Sequence, residues 1–132
     1  MRKEAKRWLK QAEFDIKAAR DSLKDGNYNW SCFQSQQSAE KALKSFLYNF
    51  GYTSIYTHSV KILLNECKKL EKSFSQLLEY GKILDMFYIP TRYPNGLDTE
   101  IVPSEYFDKE DSEKCLNCAI LILEKVKKFL KE

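Results

Sequence analysis

The sequence predicts an all-α protein, an up-and-down four-helix bundle with an additional helix. Three observations carry that expectation. Apolar residues recur three and four positions apart along almost the whole chain, the spacing of one helix face. No segment alternates apolar and polar residues for long enough to make a strand. The breaks at Gly26, around Gly51 and near Ser73 are short, and short connections make consecutive helices antiparallel.

The first segment steps through Ala5, Trp8, Leu9, Ala12, Ile16, Ala19 and Leu23, with Lys, Glu and Asp between them. Asp25-Gly26-Asn27 ends it, with Gly26 as the left-handed stop. A second helix starts near Tyr28 and runs to Gly51 through Trp30, Phe33, Ala39, Leu43, Phe46 and Leu47. Ile55 to Thr57 is a connector, and Thr57 is the expected N-cap of a third helix through Val60, Leu63, Leu64, Cys67 and Leu70. Ser73 is placed to cap a fourth, with Phe74, Leu77, Leu84 and Phe87 inward and Gly81 as an anomaly inside it. Pro90, Pro94, Gly96 and Pro103 punctuate one long loop. Ser104 then opens a last helix whose inward residues include Phe107, Cys115, Leu116, Ala119, Ile120, Leu123 and Val126.

With 132 residues, 43% hydrophobic and 31% charged, the chain reads as one domain spanning residues 1–132 with a core of its own. That composition excludes a disordered chain. The longest apolar run, Cys118 to Leu123, is far short of the stretch of about 20 needed to cross a bilayer. The basic start Arg2-Lys3-Glu4-Ala5-Lys6-Arg7 is not followed by an apolar core, so the protein is expected to be soluble and cytoplasmic, with no membrane contact. A net charge of +3 permits anionic partners without demanding them. Cys32, Cys67, Cys115 and Cys118 offer one Cys-x-x-Cys and two singletons, which is poor zinc spacing; they are read as small core residues, and no metal is expected.

If consecutive helices alternate, the first runs from one end of the bundle, the head, to the tail, and the second returns to the head at Gly51. The third then descends from His58, the fourth climbs to Pro90, and the last descends from Ser104. On that tracking the connector before His58 and the loop after Pro90 meet at the head. His58 is the one histidine of the chain, placed at a helix start where free N–H groups favour an anion. Arg92 brings a planar fork for phosphate, Tyr93 a face for a base, and Lys44 reaches upward from about two turns below the end of the second helix. Lys44, His58, Arg92 and Tyr93 are therefore the candidate nucleotide or phosphate site. The plain alternative is that His58 caps its helix and Arg92 meets a helix C-terminus.

Other chemistry lacks its residues. There is no Gly-rich phosphate loop, no His-Glu-x-x-His and no Gly-x-Ser-x-Gly, and no cofactor is called for. Asp108, Glu110 and Asp111 read as the acidic first turn of the last helix. Gln36, Gln37 and Glu40 are polar on an apolar helix. Gln37 lies about 21 Å below Gly51 at helical rise, so it is expected outside the head-end site, in a buried hydrogen-bond network or an interface.

Several motifs carry a resemblance. Trp8, Ala12, Asp15-Ile16 and Ala19 precede Gly26-x-Tyr28; Phe33-x-x-Gln36-Gln37-x-Ala39-Glu40-Lys41-x-Leu43-Lys44 follows, then Thr57-His58-Ser59 and Thr91-Arg92-Tyr93-Pro94. In that order, over nearly the whole chain, they resemble the HEPN domain family. The resemblance implies a bundle of four to five helices, frequent homodimers, association with small nucleotidyltransferases, and nucleotide or RNA binding. Ribonucleases of the family carry an Arg followed by four to six residues and a His. Here that Arg would fall on Gly51, Tyr52 or Thr53, so the motif is missing and no residue is assigned as catalytic. The expected function is a non-catalytic binding module. Two alternatives stay open: a metal-independent ribonuclease toxin using His58 and Arg92, and an oligomerisation scaffold without a ligand.

Overall fold

The computed structural model describes residues 1–130; the last two residues of the expected 1–132 domain lie outside them. Its elements are α1 (Lys3–Lys24), α2 (Tyr28–Asn49), α3 (Val60–Leu70), a 3-10 turn (Lys72–Leu77), α4 (Leu78–Asp85), a second 3-10 turn (Pro94–Gly96), α5 (Pro103–Tyr106) and α6 (Lys109–Phe129). Among the described residues there is no strand, and no helix is long and apolar enough to cross a membrane. The all-α expectation holds.

The α1–α2 hairpin is built on small residues. Ala5, Ala12 and Ala19 lie two turns apart on α1 and are fully buried, and Ser31, Ser38 and Ser45 repeat the spacing on α2. Each serine hydroxyl donates across the seam to an α1 carbonyl: Ser45 to Ala5 at 2.6 Å, Ser38 to Ala12 at 2.8 Å, Ser31 to Ala19 at 2.8 Å. Methyl and hydroxymethyl groups let the helices approach closely, and each bond contributes about 1 kcal/mol. The order of the pairs makes the helices antiparallel. Gly26, at a φ of +81°, turns the chain between them as expected.

From α3 onward the directions differ from strict alternation. The Gln36 side chain on α2 meets the carbonyl of His58, just before α3, and Leu43 meets Cys67 near its end, so α3 climbs beside α2 in the same direction. Residues 50–59 are the reason. After the turn at Phe50 and Gly51 they run without regular structure back down α2, pinned by a Tyr52 hydroxyl bond to Glu66 at 3.1 Å, and deliver α3 to the middle of the bundle. α4 then descends, bringing Asp85 to the start of α3, and Asn29 at the tail end of α2 donates to the carbonyl of Thr91 at 3.0 Å. α6 climbs again: the Cys115 thiol contacts Cys32, and further along α6 Phe129 packs on Phe46 with centroids 6.1 Å apart. The loop after Pro90 thus lies at the tail, not the head, and α6 ascends from it.

Local starts also shift. Ser59, not Thr57, caps α3, accepting from the Ile62 N–H at 3.1 Å, while Thr57 accepts from Ser59. Asp85 adds a tertiary cap, accepting from Val60 N–H at 2.7 Å and from the Ser59 hydroxyl at 2.7 Å. The segment after Ser73 is split into a 3-10 turn opened by Glu71 and then α4. The expected cap at Ser104 belongs to the four-residue α5; Asp108 and Asp111 form a reciprocal capping box that starts α6. That box is why the long helix begins only there. On α6 Ile122 is the fully buried isoleucine, and Ile120 packs at its edge.

Phe46, Phe74 and Phe129 close the head, Phe46 and Phe74 with centroids 4.8 Å apart. All four cysteines are free and buried in the core, as their helical spacing required. Among the described residues no three His, Cys, Asp or Glu side chains are placed to hold a metal.

Candidate functional site

A polar stripe on α2 organises the site. Gln36, Glu40 and Lys44 are spaced one turn apart, share one face, and are all buried. One oxygen of Glu40, Oε2, accepts from Lys44 Nζ at 2.9 Å and lies 3.1 Å from His58 Nδ1. The other, Oε1, accepts from Gln36 Nε2 at 3.2 Å. Gln36 Nε2 also donates to the His58 carbonyl at 3.0 Å, and Gln37 donates to Gln36 Oε1 at 2.7 Å. Gln36 and Gln37 therefore belong to a hydrogen-bond network, as expected, but the network includes His58 because His58 itself lies down the helix rather than at the head.

Burial decides what each cation can do. The Lys44 and Glu40 side chains are each 4% exposed, so the pair is desolvated and lasts only because both charges are satisfied. Lys44 also lies over the Trp8 ring at 5.5 Å. Its ammonium is committed. The His58 side chain is 57% exposed. An oxygen that takes a bond from an ammonium acts as a carboxylate, so His58 Nδ1 carries the proton toward Glu40 and Nε2 is left toward solvent without a partner among the described residues.

Tyr88 links this cluster to Arg92. The rings of His58 and Tyr88 stack with centroids 5.5 Å apart and 18° between planes. The Arg92 guanidinium lies 4.6 Å from the Tyr88 centroid, 4.4 Å from Phe33 and 5.0 Å from Tyr93. Its Nε donates back to the Tyr88 carbonyl at 3.0 Å, which fixes the fork among three rings. No carboxylate is paired with it among the described residues, and its two terminal nitrogens hold no partner there.

The structure thus brings all four expected residues into one contiguous chain, Lys44–Glu40–His58–Tyr88–Arg92–Tyr93. Convergence arises by a route different from the one expected. The connector comes down from the head and the loop comes up from the tail, and they meet beside the lower half of α2. Glu40, Tyr88 and Phe33 were not singled out for the site. Glu40 and Gln36 had a signal in the four-residue spacing of polar groups on an otherwise buried face; Tyr88 had none.

Charge in the cluster is lopsided. Glu40 cancels Lys44, and the Arg92 guanidinium has no carboxylate partner among the described residues, an arrangement that suits an anion. The thiols add no nucleophile. Burial holds Cys67 and Cys118 above the ordinary thiol range, and the contact with Cys32, together with burial, holds Cys115 there.

This fold belongs to a known class of small helical domains: residues 5–129 match the HEPN domain model, and the chain is a member of the HEPN family. It is 35% identical over 98% of its length, and 90% of the relative's, to a Methanocaldococcus jannaschii protein named "Putative toxin MJ1304". Among solved structures, a Thermus thermophilus protein superposes with a TM-score of 0.91 at 34% identity, covering 98% of this chain and 100% of that one. An archaeal HEPN homologue gives 0.80 at 38% identity, covering 98% and 100%.

Proposed function

We propose that this HEPN domain is a non-catalytic binding module for a nucleotide or single-stranded RNA. One observation carries the reading: the Arg92 guanidinium is held rigid against Phe33, Tyr88 and Tyr93 and keeps its outer nitrogens unpaired. A fork fixed in this way loses little freedom when it takes a phosphate in two parallel bonds. His58 supplies a second donor when protonated, and Tyr93, about half exposed, offers a stacking face for a base. Lys44 serves the same site from beneath by neutralising Glu40. The module works in the cytoplasm as a single unit, as a homodimer and alongside a small nucleotidyltransferase, in keeping with the family.

Binding of labelled ATP and of a short single-stranded RNA to the purified chain tests this. Arg92→Ala should reduce affinity at least tenfold, the order expected for one lost charge-assisted phosphate contact of about 1.5–3 kcal/mol. Tyr93→Ala should lower it less. Undiminished binding by the Arg92 variant, or none by the native chain, overturns the reading.

The His58–Glu40 contact favours a second reading. A half-exposed imidazole oriented by a buried carboxylate has the form of a general base, with Arg92 beside it for the phosphate. RNA cleavage that disappears in His58→Ala would establish it.

A further inference from the structure

Away from the Glu40–Arg92 cluster the chain has a concave site of the opposite sign. Between Asp98 and Glu113 seven carboxylates accompany a single basic residue, Lys109, so this stretch carries −6 in a chain whose net charge is +3. Beside it a pocket of about 390 Å³ opens between the end of α4, the loop and the start of α6, with Asp98 and Asp111 as the two carboxylates in its wall. Its walls are aromatic and apolar: Phe87 and Phe107 pack with centroids 5.7 Å apart, Tyr106 meets Phe107 edge-on at 5.1 Å, and Leu97 and Met86 complete the rim. Tyr106 is 50% exposed. Asp98 stands in the wall with no bond or ion pair to its carboxylate among the described residues, whereas Asp111 spends one oxygen on the Asp108 N–H at 3.1 Å. None of the lining residues belongs to the Glu40–Arg92 cluster.

An unpaired carboxylate beside aromatic faces is the environment that holds an ammonium or guanidinium group, by ion pairing at one side and by the ring quadrupole at the other. The surrounding negative field repels phosphates and concentrates cations. We propose that this pocket docks a basic segment of a partner protein, taking one Arg or Lys side chain against Tyr106 and Phe107 with its charge on Asp98. The volume suits one long side chain and is small for a folded element. The neighbouring exposed Ile101 and Val102 give such a segment apolar surface beyond the pocket.

The test is a titration of the full chain with a capped Arg-Gly-Arg-Gly peptide, followed by amide chemical shifts. Its control is the same peptide with citrulline, the neutral isostere, in place of arginine. The arginine peptide should shift the amides around Leu97–Thr99 and Tyr106–Phe107 saturably, and the citrulline peptide should not. Asp98→Asn and Tyr106→Ala should each weaken binding about fivefold. Glu100→Gln, in the same acidic stretch but outside the pocket wall, should change it less than about twofold, as a merely screened charge does. Equal effects of Asp98→Asn and Glu100→Gln, equal binding of the citrulline peptide, or shifts confined elsewhere would overturn the proposal.

Discussion

Gln36 donates from Nε2 to the carbonyl oxygen of His58 at 3.0 Å, a bond between a helix interior and a residue that lies 22 positions further along the chain. A fully buried amide satisfied by a connector carbonyl fixes the height at which that connector lies. It places His58 over Glu40 and sets α3 climbing from there. The position of the one histidine, and with it the candidate site, follows from a glutamine on the buried face of α2.

The Glu40–Lys44 pair should behave as a buried ion pair does. Glu40→Gln leaves the desolvated Lys44 ammonium without its carboxylate, at a cost of about 3–5 kcal/mol, while Lys44→Met leaves Glu40 its contacts with His58 and Gln36 and should cost less. The double variant should recover much of that loss, since it buries no charge. Urea unfolding of the two single variants and the double one measures the coupling; additive losses would show that the charges do not depend on each other.

The Ala–Ser seam separates a lost bond from a lost fit. Ser38→Ala removes the 2.8 Å bond to the Ala12 carbonyl and should cost about 1 kcal/mol. Ala12→Leu forces a larger side chain into a fully closed seam and should cost more, about 2 kcal/mol or above. Denaturant midpoints for the two variants rank them directly, and the reverse ranking would mean that the helices can part without penalty.

How much of this was legible depends on where the information sits in the chain. Helix extents are local, so the three-and-four spacing of Ala5, Leu9, Ala12 and Ile16, or Cys115, Ala119 and Ile122, exposes them directly. The direction of α3 is not local. It rests on Gln36 meeting a carbonyl and on Tyr52 reaching Glu66, bonds that no spacing in residues 50–59 announces. The same holds for Asp85, which caps α3 from 25 residues further along, against Val60 N–H. For Lys44, His58, Arg92 and Tyr93, strict alternation predicts a meeting at the head, and they meet instead beside the lower half of α2. They came together because two departures from alternation, at the connector and at the loop, compensate each other.

The thiols give the fold an alkaline limit. Burial of Cys67, and the Cys32 contact with burial at Cys115, hold both neutral in the native state above the pH at which a free thiol ionises. The unfolded chain then binds fewer protons than the native one once pH exceeds about 8.5, so stability falls as pH rises. Each such cysteine contributes a slope of about 1.4 kcal/mol per pH unit above that point, and none below it. Chemical denaturation at pH 7.5, 8.5 and 9.5 should show a flat first interval and a falling second one. Cys67→Ala should flatten the fall while lowering stability at neutral pH.

Gly81 makes the sharpest demand on sign. In an exposed helix Gly→Ala stabilises by up to about 1 kcal/mol, because alanine loses less freedom on folding. Gly81 is buried at the crossing of α4 and α3. A Cβ there would lie 2.7 Å from Leu64 Cδ1 and 3.1 Å from both N and Cα of Lys61. The leucine methyl can swing aside, but the Lys61 backbone belongs to the first turn of α3, which Ser59 and Asp85 already hold in place. Gly81→Ala should therefore destabilise, by about 1–3 kcal/mol, through separation of the two helices. Leu64→Ala made together with it should relieve little, since the obstacle is main chain. Thermal melts of the two variants decide the matter: a Gly81→Ala protein that melts higher than the native one would mean that α3 and α4 pack with room between them.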